Sequence, residues 1–282
     1  MRKVLLLGHR GKMGTALMDP FADGNICIGR SSADFDAADF DAVRTLVRDV
    51  RPDVLINAVA YLGIDPCEQA PERAIRVNAL YPQLLAELAL ELPFRLIHFS
   101  TDAVFSGSKG RAYVESDPAA PINTYGLTKY GGDCFIAAVA PQYYIFRLSV
   151  LFGRTQKKDQ FVEKMLHLAR SGRKEIRVSQ DIVLSPSYAP DLAREVRRAV
   201  EEGWQDGLYH LANAGEASLF DLMNALASGL HLAATICPAS YREFPHVGRK
   251  NTFTPLASEK RAPLRDWREA VYDYCRVLQK DN

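Results

Sequence analysis

Tyr125 and Lys129 stand four residues apart in the run Tyr125-Gly126-Leu127-Thr128-Lys129. On a helix that spacing puts both side chains on one face, so a phenol and an ammonium can enter the same site. The chemistry this suits is proton transfer. A free tyrosine titrates near about 10, too high for efficient transfer at neutral pH, whereas a neighbouring ammonium favours the phenolate and brings it down. Upstream lies Ser100-Thr101-Asp102. The Thr101 hydroxyl suits a hydrogen bond to a substrate oxygen, and Asp102 is a second acid beside it. Taken alone, a Tyr and a Lys at this spacing fit a surface helix better than a site, so the weight comes from what precedes them.

What precedes them is the turn Gly8-His9-Arg10-Gly11-Lys12-Met13-Gly14, which follows an apolar run and opens a helical pattern. Glycine permits positive φ and close approach of the backbone to a ligand, and a helix amino terminus offers unpaired N–H groups to a pyrophosphate. Gly8, Gly11 and Gly14 therefore mark a candidate dinucleotide site. At the end of the next apolar run stands Ile28-Gly29-Arg30, where an NAD-specific site usually carries a carboxylate. The planar guanidinium of Arg30 suits a 2′-phosphate, with Lys12 or Arg10 assisting; a solvated loop arginine is the alternative. NADPH is the expected cofactor, with NADH as the second choice. Lys129 would then also reach the nicotinamide ribose hydroxyls.

These residues need a frame, and the first half of the chain supplies one by alternating short β-rich runs with longer helical patterns. Strands are expected at Lys3 to Gly8, Asn25 to Gly29, Asp53 to Ala58, Arg95 to Ser100 and Tyr144 to Val150. Helices are expected at Met13 to Phe21, at Asp39 to Val50 with Asp39 as amino-terminal cap, at Pro71 to Leu90, and from about Thr124. Continuous apolar runs such as LLL and VLI fit strands buried on both faces. The expected fold is thus α/β, a Rossmann doubly wound parallel sheet over residues 1–152. Residues 153–282 should form a smaller carboxy-terminal α/β lobe over the strand ends, interleaved with the first domain, with helices at Val162 to Ser171, Pro190 to Glu202 and Leu219 to Gly229.

Composition narrows the partners. Thirty-five basic against thirty-four acidic residues leave a formal charge of +1, so no overall field steers the chain to nucleic acid or an anionic membrane. The first eight residues are too short an apolar run for a signal peptide, and no run reaches the length of a membrane helix; a cytoplasmic protein is expected. Five cysteines without a CxxC argue against a disulfide framework or a zinc site and suit buried or half-buried positions. No metal is expected.

In order, the chain offers the glycine turn, Asn57-Ala58-Val59-Ala60, Val77-Asn78, Ser100-Thr101-Asp102, and Tyr125 with Lys129. In that order and spacing it resembles the extended short-chain dehydrogenases/reductases, and within them the dTDP-4-dehydrorhamnose reductases over nearly its whole length. The stretches LINAVAYLGIDPCEQAPERAIRVNA, IHFSTDAVFSG, PINTYGLTKYGGD, FRLSVLFG, SPSYAPDLAREV and GLYHLANAGEASLFDL carry the likeness. The resemblance implies NADPH- or NADH-dependent reduction of the C4 keto group of a nucleotide-linked 6-deoxysugar. It implies Gly11, Lys12 and Met13 under the pyrophosphate, Asp36 and Ala37 near the adenine, and Ala58, Val59, Ala60 and Ser100 along the cofactor. It also implies Thr101 and Asp102 at the sugar, Tyr125 as proton donor and Lys129 as its partner, in a monomer or homodimer. Two places depart from the family pattern. Arg147-Leu148-Ser149-Val150 stands where Arg-Thr-Ser-Trp is usual, so Val150 replaces an aromatic wall of the sugar pocket, and Gly248-Arg249-Lys250-Asn251 replaces an Arg-Pro followed by small polar residues. A nucleotide-sugar epimerase, or a non-catalytic subunit similar to the regulatory β subunit of methionine adenosyltransferase, stays open as an alternative.

Overall fold

The computed structural model describes residues 1–155 and 160–280. Its first half runs β1 (Lys3–Leu7), α1 (Lys12–Ala22), β2 (Ile26–Arg30), α2 (Phe40–Val50), β3 (Val54–Asn57), α3 (Ile64–Gln69), α4 (Pro71–Ile75), a π-helical turn (Arg76–Leu80), α5 (Tyr81–Glu91), β4 (Arg95–Thr101), α6 (Thr124–Val139) and β5 (Tyr143–Leu148). There follow β6 (Leu151–Phe152), α7 (Phe161–Arg170), β7 (Glu175–Ser179), β8 (Val183–Leu184), β9 (Ser187–Tyr188), α8 (Ala189–Glu202), β10 (Gly207–His210), β11 (Ala217–Ser218), α9 (Leu219–Gly229), β12 (Thr235–Ala239) and α10 (Trp267–Lys280).

The main sheet has six strands in the order β10-β5-β4-β3-β1-β2, and all its pairings are parallel. Parallel neighbours require crossovers, and helices cover both faces. Because side chains alternate along a strand, Val4 and Leu6 face one layer and Leu5 and Leu7 the other. On the first face Leu6, Ile56 and Phe146 meet Leu17 and Phe21 of α1 with Leu192 and Val196 of α8. On the second, Leu5, Leu55 and Ile145 meet Val43 and Val47 of α2, Tyr81 and Leu85 of α5, and Ile136 of α6. The sheet therefore draws its edge strand β10 and one covering helix from the carboxy-terminal half of the chain. A separate core of Phe152, Leu166, Ile176, Leu222, Leu226, Trp267 and Tyr274 holds the smaller lobe together.

Most expected elements form within a residue or two of their expected ends. Asp39 caps α2 through a bond from Ala42 N–H at 3.0 Å, a device worth about 1 kcal/mol. The helix expected over Pro71 to Leu90 is the main departure, since it widens into the π turn at Arg76–Leu80. Pro82, just inside α5, has no N–H to give the carbonyl of Asn78, so the regular ladder cannot pass this point. The freed stretch is used for close packing: a Cβ on Gly132 of α6 would lie 2.4 Å from the Asn78 carbonyl oxygen. The cysteine expectation also needs one correction. All five are free thiols, but Cys134 is exposed, because it lies on the outer face of α6. Among the described residues no helix is long and apolar enough to cross a membrane.

Candidate active site

The end of β1 enters the glycine turn under tight steric control. Gly8 has φ +87°, and a Cβ there would come within 2.8 Å of the Ala58 carbonyl oxygen at the end of β3. A Cβ on Gly14 would lie 2.1 Å from the Gly8 carbonyl, so the first turn of α1 rests directly on the loop. Gly11 stands at the cap position of α1, and no side chain caps this end. The first N–H groups of the helix are thus left for a ligand. Met13 is buried in the core behind the turn, and Ala58, Val59 and Ala60 form its half-buried opposite wall.

The cations read as phosphate ligands have their heads elsewhere. Lys12 is buried, and its ammonium bonds the Leu151 carbonyl at 2.9 Å and Glu163 Oε2 at 3.0 Å. Burial lowers its pKa, and the Glu163 carboxylate opposes the shift. Arg30 is half-buried and turns one guanidinium nitrogen back to the Gly29 carbonyl at 3.0 Å. Beyond it is a carboxylate the sequence reading passed over. Asp34 accepts bonds from the Ser31 N–H at 2.7 Å and hydroxyl at 2.9 Å, which hold its pKa low, and it also feels Arg30 and His9. Asp36 is exposed and caps Ala38 N–H at 2.9 Å, while Ala37 is buried.

The Tyr/Lys helix is positioned from three sides. Asn123 caps α6 by accepting from Gly126 N–H at 2.8 Å, and Glu68 accepts from the N–H and hydroxyl of Thr124 at 2.8 and 2.6 Å. A Cβ on Gly126 would fall 2.1 Å from the Ala103 carbonyl, so the helix start sits against the end of β4. The third side is the segment Gly248-Arg249-Lys250-Asn251. Asn123 donates to the Arg249 carbonyl at 3.0 Å and to Asn251 Oδ1 at 2.8 Å, and Asp65 of α3 accepts from Gly248 N–H at 3.1 Å and Lys250 Nζ at 2.7 Å. What departs from the family pattern in sequence is therefore wired to the cap of the Tyr/Lys helix.

Alternate residues of β4 then meet α6. Lys129 is 1% exposed, and its Nζ donates to the Phe99 carbonyl at 2.6 Å and contacts His98 Nε2 at 3.1 Å. Burial brings its pKa down to about 8, against the pull of Asp133 and Cys67. Burial likewise pushes the Tyr125 phenol well above its ordinary value, opposed by a hydrogen bond with the Thr101 hydroxyl. Thr101 also accepts from Ala103 N–H at 3.1 Å and gives its one proton to Asp102 Oδ1 at 3.1 Å. Asp102 collects two further hydroxyls at Oδ2, from Ser149 and Thr254, each at 2.8 Å. Burial raises its carboxyl pKa and these donors moderate the rise.

Tyr125, Thr101 and Asp102 are thus brought together at the end of β4, with Lys129 one helical turn along α6 and its head at His98 and the Phe99 carbonyl. Ser100 points the other way, donating to Asp133 Oδ2 at 2.9 Å, and Asp133 is paired with the buried Arg147 at 3.2 Å. Asp133 was missed although it repeats the four-residue spacing, one turn after Lys129. Val150 is half-buried and packs against the core of the smaller lobe. Beyond β4 opens a cavity of 650 Å³ whose lining includes Gly107, Tyr241, Arg242, His246, Arg249 and Lys250. No described residue pairs with the exposed Arg249 guanidinium.

Comparison with known proteins accords with this arrangement. Residues 1–280 match the RmlD substrate binding domain family. A dTDP-4-dehydrorhamnose reductase of Mycolicibacterium smegmatis is 35% identical over 96% of this chain and 84% of the relative. One of Escherichia coli is 33% identical over 88% and 89% respectively. Among solved structures, a dTDP-4-dehydrorhamnose reductase of Bacillus anthracis in complex with NADP superposes with a TM-score of 0.92, at 26% identity over 98% of this chain and 100% of that one. The Clostridium acetobutylicum reductase gives the same TM-score at 28% identity, over 98% and 99%. The chain belongs to the RmlD substrate binding domain family.

Proposed function

We propose that the protein is an NADPH-dependent oxidoreductase that reduces the 4-keto group of a nucleotide-linked 6-deoxysugar, with dTDP-6-deoxy-L-lyxo-4-hexulose as substrate and dTDP-L-rhamnose as product. The observation that carries this is the hydroxyl of Tyr125 beside Thr101 and one helical turn from Lys129, in a chain matching dTDP-4-dehydrorhamnose reductases over 96% of its length. When bound, NADPH would supply the hydride. The turn fits such a group, since Gly8 and Gly14 leave no room for a Cβ and the amino end of α1 is uncapped. Gly11, Lys12 and Met13 would present backbone N–H groups to the pyrophosphate. Asp36 and Ala37 would border the adenine, and Ala58, Val59, Ala60 and the backbone of Ser100, whose side chain turns to Asp133, would follow the cofactor.

Tyr125 donates its hydroxyl proton to the oxygen that becomes the C4 hydroxyl, and the Lys129 ammonium favours the phenolate left behind. Thr101 orients the same oxygen, but its proton is held by Asp102 at rest. It must rotate to donate, and the Ser149 and Thr254 hydroxyls keep Asp102 satisfied meanwhile. In this reading residues 1–152 serve the cofactor and 153–282 the sugar, interleaved through α8 and β10. The reading also has the enzyme act in the cytoplasm as a monomer or homodimer, with no nucleic acid partner. NADPH consumption with purified protein offered dTDP-, UDP- and GDP-linked 4-ketosugars tests it. Oxidation with none of them sinks the reductase reading.

The cavity beyond β4 suits the nucleotide diphosphate, with Arg249 as its free cation and Tyr241 offering a ring to the base. Arg249→Ala should raise KM for the nucleotide sugar about ten- to a hundredfold with kcat nearly unchanged, the worth of a charge-assisted hydrogen bond. An unaltered KM removes Arg249 from the site. Arg30 carries the cofactor preference, because turning its head from the Gly29 carbonyl to a 2′-phosphate exchanges a neutral acceptor for an anionic one. Titration of each dinucleotide into native protein should show NADPH ahead by about ten- to a hundredfold, and Arg30→Ala should erase most of that lead. A mutant that still favours NADPH assigns the preference elsewhere.

A further inference from the structure

Four hydrogen bonds run in one direction from the end of β3 through Lys129 to the Phe99 carbonyl. The Val59 N–H donates to Asn57 Oδ1 at 3.1 Å, which fixes the amide so that its NH₂ faces the imidazole. Asn57 Nδ2 meets His98 Nδ1 at 3.0 Å. An amide NH₂ can only donate, so Nδ1 must accept, and the proton of the neutral ring sits on Nε2. His98 is fully buried, and that burial holds it neutral. Nε2–H therefore points at Lys129 Nζ, 3.1 Å away. An amine accepts that bond and still donates to the Phe99 carbonyl at 2.6 Å. An ammonium has no lone pair, so it would face a donor.

We propose that Asn57 and His98 are positioning residues that lower the proton affinity of Lys129, because the Nε2–H they aim at Nζ is accepted by the amine and opposed by the ammonium. The inference rests on the proposed reductase reading for its use but not for its chemistry. The other groups around Nζ come from several elements. Asp133 on α6 favours the ammonium through its charge, but its Oδ2 is taken by Arg147 of β5 and the Ser100 hydroxyl, and its buried Oδ1 makes no hydrogen bond to Nζ. Cys67 of α3 is a buried thiol whose pKa is raised to about 11. Tyr125 is a neutral phenol bonded to Thr101. None of these hydrogen-bonds Nζ, whose contacts are His98 Nε2 and the Phe99 carbonyl. The pair thus sets the protonation of the lysine as well as its place.

The test reads Lys129 directly. Protein labelled with ¹⁵N-lysine, without cofactor, is titrated by NMR, with the Nζ signal assigned by its loss in Lys129→Met. The native midpoint should lie at or below about 8, far under the ordinary lysine value of about 10.4. Asn57→Asp reverses the chain. A carboxylate draws the imidazole proton to Nδ1, Nε2 becomes an acceptor, and the proton settles on the amine as the stronger base. The midpoint should rise by at least one pH unit, tenfold in the protonation equilibrium. His98→Gln, whose amide oxygen can face Nζ, should move it the same way and reports if the first variant fails to fold. A purely structural role would alter melting temperature and leave the midpoint in place. A native midpoint above about 10, or midpoints unmoved in the folded variants, overturns the proposal. Inactivity on every nucleotide sugar with these midpoints as expected would sink the reductase reading alone.

Discussion

Tyr125→Phe should lower turnover by roughly 10²- to 10⁴-fold while leaving dinucleotide affinity nearly unchanged, because it removes one proton donor and little else. The ring stays, so its packing against α3 and the end of β4 stays. Thr101 loses a neighbour but keeps its bonds to Ala103 N–H and Asp102, so the oxygen-orienting hydroxyl remains in position. Burial holds the Tyr125 phenol above its ordinary value, which makes it a weak acid until a positive charge arrives beside it. Turnover should therefore be limited by the proton step, and the loss should appear in kcat and kcat/KM together. Steady-state NADPH oxidation and calorimetric titration of the dinucleotide check both halves. Turnover equal to that of the native chain would remove Tyr125 from the role.

The parts of this site that could be read from sequence are those set by local spacing. The glycine turn announces itself because Gly8 and Gly14 sit where a Cβ would strike the Ala58 and Gly8 carbonyls, a demand met by residue type alone. Tyr125 and Lys129 announce themselves by the helical repeat. The apolar runs of β1, β3, β4 and β5 locate the sheet, since strands buried on both faces carry no alternation to misread. What spacing cannot supply is contact between distant segments. His98 looks like one more residue of a buried strand until Asn57 and Lys129 are brought to its two nitrogens. Asn251 reads as a loop residue until it meets the cap of α6 across 128 residues of chain. The strand Gly207–His210 escapes notice because four residues carry too little pattern, and only its pairing with β5 makes it part of the sheet. The direction of a charged head is equally hidden. The sequence places Lys12 on the phosphate turn, but the Glu163 carboxylate that takes its ammonium comes from the other lobe.

Lys129→Met should cost more than the tyrosine change, because it removes the charge that acidifies Tyr125 and, in the proposed reading, a contact to the nicotinamide ribose as well. Turnover should fall at least as far as the roughly 10²- to 10⁴-fold worth of the acid, and NADPH should bind more weakly, by about ten- to a hundredfold for a lost charge-assisted bond. Methionine fills nearly the same buried volume without a polar head, so packing between α6 and β4 is retained. The pH dependence separates a catalytic lysine from a structural one. Burial brings the Lys129 pKa down to about 8, so the cation is available below that value and is lost as pH climbs through it. Native reduction should slow above about pH 8, since a phenol without its ammonium neighbour is the weaker acid. Lys129→Met has no such group to titrate, so its residual rate should cross the same range without that decline. Rates and dinucleotide affinities of both proteins from pH 6 to 10 decide the matter. A mutant that melts earlier yet keeps native turnover, affinity and pH profile would make the buried amine a packing element of β4 and α6.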